Sequence, residues 1–157
     1  MYNYRPATHT DFTYVCQLVT NEEELFRVYP SGHYPLTVEQ LEDIAQERTA
    51  LTVIEHKKRI VGFGNLYHHI HGKQAFIGNI IVHAEHRGRG IGKALVQYMM
   101  NLAFEEYQLP QVCISVFSDN TPALLLYTAL GFTPYEIEER ITPCGQRAAL
   151  IHMSVSQ

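Results

Sequence analysis

Residues 79–95 read Asn79-Ile80-Ile81-Val82-His83-Ala84-Glu85-His86-Arg87-Gly88-Arg89-Gly90-Ile91-Gly92-Lys93-Ala94-Leu95, or NIIVHAEHRGRGIGKAL, and the rest of the chain is read outward from them. An apolar run leads in and a helical pattern follows. Between them, Gly88, Gly90 and Gly92 are interleaved with Arg87, Arg89 and Lys93. The first turn of a helix carries N–H groups with no partner inside the helix, and their partial positive charge stabilises an anion. Glycines let the loop backbone approach that anion closely and adopt positive φ. The cations add charge-assisted contacts. The stretch therefore predicts a strand, a phosphate or pyrophosphate cradle and a helix. Two familiar cradles fail at named positions. A Walker loop needs Gly at position 87 and Ser or Thr at 94, where this chain has Arg87 and Ala94. A dinucleotide fingerprint needs G-x-G-x-x-G after an opening strand; here the spacing is G-x-G-x-G and the strand comes fourth.

Outward from this centre the chain alternates strand and helix patterns. Tyr2–Arg5 alternates as a short strand, and Phe12, Val15, Leu18 and Val19 share a helical face. Residues 21–35 predict a short helix running into an irregular loop with Pro30, Gly32 and Pro35. Thr37 and Gln40 form a capping-box pattern before Leu41, Ile44 and Ala45. Residues 50–56, 60–69 and 75–83 predict three strands, joined by a polar hairpin turn at Lys57-Lys58-Arg59 and another at residues 71–74. The helix after the glycines places Ile91, Leu95, Met99 and Leu102 on one face and runs to about Tyr107. Residues 111–117 read as a buried strand. Thr121 as N-cap, Pro122 at the first helical position and Gly131 as stop bracket the next helix. Strands near residues 134–141 and 147–155 close a mixed α/β domain spanning residues 1–157.

The 157 residues fit one core, and 46% hydrophobic content opposes disorder. Apolar runs fall short of the roughly 20 residues a membrane helix needs, and the N-terminus lacks a signal-peptide plan. Cys16, Cys113 and Cys144 are odd in number with no CxxC spacing, which predicts a cytoplasmic protein with neither disulfides nor a zinc knuckle. The net charge of −4 is uneven: 3 basic and 8 acidic residues in 1–50, 7 and 2 in 51–100, 2 and 6 in 101–157. A basic middle in an acidic chain suits a local anionic ligand better than an extended nucleic-acid surface.

Arg87-Gly88-Arg89-Gly90-Ile91-Gly92 matches R-x-x-G-x-G, and the chain resembles the GNAT N-acetyltransferase superfamily, whose acetyl-CoA pyrophosphate loop has that form. Residues 118–132, SDNTPALLLYTALGF, are similar to the family's later N-x-x-A-x-x-x-Y-x-x-x-G-F element. The resemblance implies a mostly antiparallel sheet of about seven strands, with helices on both faces, splayed between strands four and five. It implies that Ile80, Ile81 and Val82 follow the pantetheine arm and that residues 87–92 hold the pyrophosphate, with Lys93 beside them. It further places Asn120 and Tyr127 near the far end of the arm. Tyr127 corresponds to the usual acid for the leaving thiolate, and the backbone N–H of Ile81 or a neighbour to the donor for the thioester oxygen.

The acceptor would be a primary amine of a small molecule, peptide or protein, which must lose a proton before attack. Many relatives carry a carboxylate on the fourth strand where this chain has Gly78. Glu24, His33, Tyr34, His68, His83 or a water wire are the bases the sequence offers, with Glu24 the expected one. Glu24, Tyr29 and Tyr34 are read as the acceptor pocket, although Glu22, Glu23 and Glu24 also suit the start of a helix. His69 and His71 alternate beside His68, but two ligands on a hairpin make no zinc site, and no metal is expected. No cysteine has a paired histidine to support a covalent route. The alternative reading is a non-catalytic acyl-CoA sensor of the same fold. A homodimer stays open, with the C-terminal strand free to pair with a partner's edge.

Overall fold

A computed structural model describes residues 1–157. The alternating apolar pattern of residues 49–82 folds as a meander: β2 (Thr49–His56), β3 (Arg59–Ile70) and β4 (Gln74–Val82) pair antiparallel. Lys57 and Lys58, both at positive φ (50° and 63°), make the two-residue turn between the first two, as the twist of a tight hairpin demands. β1 (Tyr2–Pro6) pairs antiparallel with β2. β5 (Gln111–Phe117) runs parallel to β4. β7 (Arg147–Ser156) then lies between β5 and β6 (Thr133–Ile141), giving the order β1-β2-β3-β4-β5-β7-β6. The result is the expected mixed α/β fold with seven mostly antiparallel strands. The C-terminal strand is no edge, however. Both its neighbours are present, and β1 and β6 form the sheet's edges.

Consecutive residues of β2 show how the two faces divide. Val53 enters one core and Ile54 the other, because alternate side chains leave a strand on opposite sides. The Val53 face is covered by α1 (Phe12–Cys16), α2 (Glu22–Val28) and α3 (Val38–Glu47), which bring Phe12, Val15, Leu25, Leu41 and Ile44 against Phe63 and Ile81. The Ile54 face is covered by α4 (Ile91–Asn101) and α5 (Thr121–Ala129), where Leu95, Met99, Tyr127 and Phe132 meet Ile77, Ile114 and Met153. Thr37 accepts the Gln40 N–H at the start of α3, as its capping pattern predicts. Two boundaries differ from expectation. Asn120, not Thr121, is the N-cap of α5, which moves Pro122 one position inward. α4 ends at Asn101, and Leu102–Glu106 continue as a π-helical turn closed by Tyr107 N–H onto the Leu102 carbonyl.

β4 changes face part-way. Phe63 pairs with Ile81 but Asn65 with Gly78, so β4 holds one extra residue opposite Gly64. The extra residue is accommodated at Asn79, whose φ is 48°, a conformation asparagine tolerates better than most. Before this bulge Ile77 faces the α4 core; after it Ile81 faces the α1–α3 core. A buried chain of hydrogen bonds holds the bulge: Arg48 donates to Asn65 Oδ1 (3.2 Å), Asn65 to Asn79 Oδ1 (2.8 Å), and Asn79 to the Val28 carbonyl ending α2 (2.7 Å).

Candidate active site

The bulge turns β4 away from β5. Their last paired residues are Ile77 and Ile114. Beyond that point a cleft of about 770 Å³ opens, lined by Gly78, Asn79 and Ile80 on one strand and Ser115, Val116 and Phe117 on the other. Val82 lies past the bulge, on the rim. His83 donates to the Val61 carbonyl (2.8 Å), and Ile81 and Phe63 pair two residues away in the same register, so the alternation of an antiparallel pair turns the backbone of the intervening Val82 to the opposite, open side. The Val82 carbonyl accordingly accepts from Arg87 Nε (3.1 Å) rather than from β3.

The glycine loop sits at the end of this opened edge. Gly88 and Gly90 take φ of 77° and 78°, and Gly90 is the N-cap of α4. A side chain on Gly88, Gly90 or Gly92 would project into open space, so the glycines answer to conformation and to whatever approaches from outside. None of the N–H groups from Gly88 to Lys93 finds an acceptor within the protein. Arg89 and Lys93 are exposed and form no ion pair. A row of unpaired donors, two free cations and the N-terminus of an 11-residue helix together have the chemistry to hold a polyanion. At the inner end, Tyr127 lines the cleft with 7% of its surface exposed, and burial pushes its phenol up to about 12. Asn120 lines the same wall.

Residues 15–132 match the acetyltransferase (GNAT) family. The chain belongs to the GNAT acetyltransferases. It is 33% identical over 101 residues to a mycothiol acetyltransferase of Pseudarthrobacter chlorophenolicus, a match covering 59% of this chain and 30% of that relative. The chain thus spans about a third of that relative's length. Among solved structures it superposes on smu.2055 from Streptococcus mutans with a TM-score of 0.79, at 25% identity over 98% of both chains. It also superposes on spermidine N-acetyltransferase from Vibrio cholerae, solved with CoA and spermine, with a TM-score of 0.82, at 21% identity over 99% of this chain and 95% of that one. No helix of this GNAT chain is long and apolar enough to cross a membrane.

Within the GNAT site, several residues singled out from sequence lie elsewhere than expected. Ile81, the register partner of Phe63, turns its amide toward β3 and away from the open edge. Glu24 does not line the cleft. Its carboxylate accepts from the Thr20 N–H and hydroxyl (3.0 and 3.1 Å) and from Arg87 (3.3 Å), tying α2 to the glycine loop. Burial raises its pKa, but those hydrogen bonds and Arg87 outweigh it and hold it below the usual carboxylate value. That is a structural acid, poorly suited to accept a proton. Tyr34 donates to the Thr20 carbonyl and lines a smaller hollow with His33, Gly32 and Pro143. Tyr29 packs over Gly32 and faces the Arg48 guanidinium at 5.8 Å, outside the main cleft. His83 caps the short turn before the loop by accepting the Glu85 N–H. Of the five bases named from sequence, only His68 lines the cleft. His71 falls in the turn after β3.

Beside Gly78 the cleft is lined by residues that no sequence motif marks: Arg48, Tyr67, Ser115, Glu138, Arg140 and His152. Gly78 has no side chain because none fits: a Cβ there would lie 2.5 Å from the Tyr67 ring and 2.7 Å from the Arg48 guanidinium. Arg48 stacks on Tyr67 at 4.3 Å and occupies the space a carboxylate at position 78 would need. Across the floor run Ser115, His152 and Glu138, with Arg140 paired to Glu138. Ligand atoms of Glu136, Glu138 and His152 lie within 4.8 Å of one another. His152 spends both ring nitrogens on protein partners, Ser115 and Glu138. Only alternation of side chains along β5, β6 and β7 could have signalled this row, and alternation does not say which strands become neighbours.

Proposed function

We propose that the chain, acting as a single domain, moves an acetyl group from acetyl-CoA to a primary amine of a small molecule, peptide or protein, in a direct ternary complex. One observation carries the reading: the opened β4–β5 edge and the unpaired N–H row from Gly88 to Lys93 adjoin. An extended arm ending in a pyrophosphate needs both features, in that order. Residues 87–93 would hold the pyrophosphate, and the backbone of Ile80 to Val82 would flank the arm. The thioester oxygen would take its hydrogen bond from an amide beside Ile81. Tyr127 keeps its proton across neutral pH and would give it to the leaving thiolate. Cys16, Cys113 and Cys144 are all unpaired, in keeping with a reducing, cytoplasmic setting.

Calorimetric titration with acetyl-CoA, with ATP and NAD as controls, tests the cofactor. Thiol release with spermidine and with a peptide bearing an N-terminal amine tests the transfer. Selective micromolar binding with amine-dependent thiol release supports the enzyme. Binding without release to any amine would turn the assignment to a sensor, and no binding would remove it.

A further inference from the structure

Three strands each give one side chain to a single hydrogen-bonded row in the cleft floor. Ser115 on β5 and His152 on β7 are direct register partners, and Ser115 Oγ lies 2.6 Å from His152 Nδ1. His152 Nε2 lies 2.8 Å from Glu138 Oε2 on β6. All three residues line the cleft. The direction of the row follows from donor chemistry. An ionised carboxylate only accepts, so the imidazole proton sits on Nε2 facing Glu138. Nδ1 then carries the lone pair, and Ser115 donates its hydroxyl proton to it. The remaining lone pairs of Ser115 Oγ face the cleft, where the Tyr67 hydroxyl of β3 is its other protein neighbour and an incoming amine is the donor outside the row. β4 offers no competing carboxylate, since Tyr67 and Arg48 fill the space beside Gly78.

We infer that Ser115, His152 and Glu138 form the proton-accepting relay of acetyl transfer, taking the proton that an acceptor ammonium must lose before it attacks. The inference rests on the acetyltransferase reading above. One ammonium proton passes to Ser115 Oγ as the serine's own proton passes to His152 Nδ1, and Glu138 stabilises the imidazolium. The freed nitrogen lone pair forms the C–N bond at the thioester carbon, and the C–S bond breaks. Nitrogen loses its second proton to water, and water restores the proton that Tyr127 gives to sulfur. His152 returns its proton to solvent, so one proton is released per turnover. The groups facing His152 are Tyr135, Glu136, Glu138 and Arg140 on β6, Ser115 on β5 and the Phe76 ring on β4. Burial lowers the imidazole pKa, Glu136 opposes this and Arg140 adds to it, with a net value below the ordinary one. The relay is therefore in its basic form at neutral pH.

The test compares two amines of different acidity. Spermidine is protonated at neutral pH and needs a base; hydroxylamine is largely unprotonated and does not. His152→Gln is expected to slow acetyl transfer to spermidine at pH 7 by about 100-fold, and Ser115→Ala and Glu138→Gln by about 10-fold. Hydroxylamine rates, corrected for the uncatalysed reaction, should change by less than about threefold, with acetyl-CoA affinity unchanged in all three variants. The spermidine deficit should shrink as pH rises toward the amine's own pKa, near ~10. Equal losses with both amines, or a wild-type spermidine rate in His152→Gln, would overturn the relay while leaving the acetyltransferase assignment standing. Wild-type protein that fails to bind acetyl-CoA would overturn that assignment first. Should the wild type bind acetyl-CoA yet ignore both amines, nitrogen-15 NMR of the His152 ring decides: a proton on Nε2 supports the relay, and a proton on Nδ1 overturns it.

Discussion

Tyr127 shows how burial alone can suit one side chain to the acid role proposed for it. Its hydroxyl has no charged neighbour to account for its behaviour; desolvation holds the proton on. Tyr127→Phe should therefore leave acetyl-CoA affinity unchanged and lower kcat by about 100-fold. Because its pKa is near 12, the wild-type enzyme should show no alkaline fall in kcat from this group up to pH 10. Steady-state kinetics across pH check both statements. Gly90 is constrained in a different way. At φ 78° it heads α4, and its outward direction is open. Gly90→Asp would place a carboxylate where the proposed pyrophosphate docks and a side chain where φ disfavours one. Acetyl-CoA affinity should drop by at least about 100-fold by calorimetry, through like-charge repulsion with the pyrophosphate, while the chain stays folded by circular dichroism. Undiminished affinity would show that the loop holds no phosphate. Glu24 teaches the opposite lesson. A conspicuous acidic residue near an expected pocket proved to be a tie between α2 and Arg87, a role visible only once Thr20 and Arg87 are located around it.

At the scale of elements, the bulge in β4 positions everything else. Asn79 carries it with a positive φ and with side-chain bonds in two directions, to Asn65 and to the end of α2. Asn79→Ala should cost about 2–3 kcal/mol in urea unfolding, since it strands the Asn65 amide and the Val28 carbonyl in a buried setting. It should also weaken acetyl-CoA binding, because β4 is then freer to close toward β5. The elements themselves were largely legible from sequence. β5 spans residues 111–117 as its apolar run predicts, and α3 starts after Thr37 as its capping pattern predicts. The glycine loop announced itself by composition. The bulge did not, although an asparagine amid Phe76, Ile77, Ile80 and Ile81 was its one local mark. The cap of α5 was misplaced by one residue because Asn120 and Thr121 are both good caps and only geometry separates them.

For the whole molecule, resistance to acid rests in part on one fork where the edge strand β1 meets the first helices. Arg5 holds both Asp11 oxygens at 2.8 and 2.9 Å, and the Thr8 N–H adds a third bond at 2.7 Å. These bonds, with Arg5 the largest contributor, pull the Asp11 pKa from 3.8 to about 2. A depressed carboxylate stabilises the fold above its unfolded pKa and loses that contribution as pH falls through its folded one. Asp11 should thus add about 2 kcal/mol at pH 7, lost between about pH 4 and pH 2. Urea melts of Asp11→Asn should show that deficit at neutral pH and a flatter profile below pH 4. The residues of the proposed relay were the least legible part of the sequence, because Ser115, His152 and Glu138 become neighbours only through the strand order β5-β7-β6. That order has a consequence for biosynthesis. Both β5 and β6 leave the ribosome before the strand that must separate them, so β6 has no lasting partner, and β5 has only β4, while residues 147–156 are still being made. Until then β5 presents a bare outer edge of apolar residues, the kind of surface that chaperones guard and aggregates exploit. His152 arrives with that last strand, so the nascent protein can complete its sheet and its proposed proton path only in the same step.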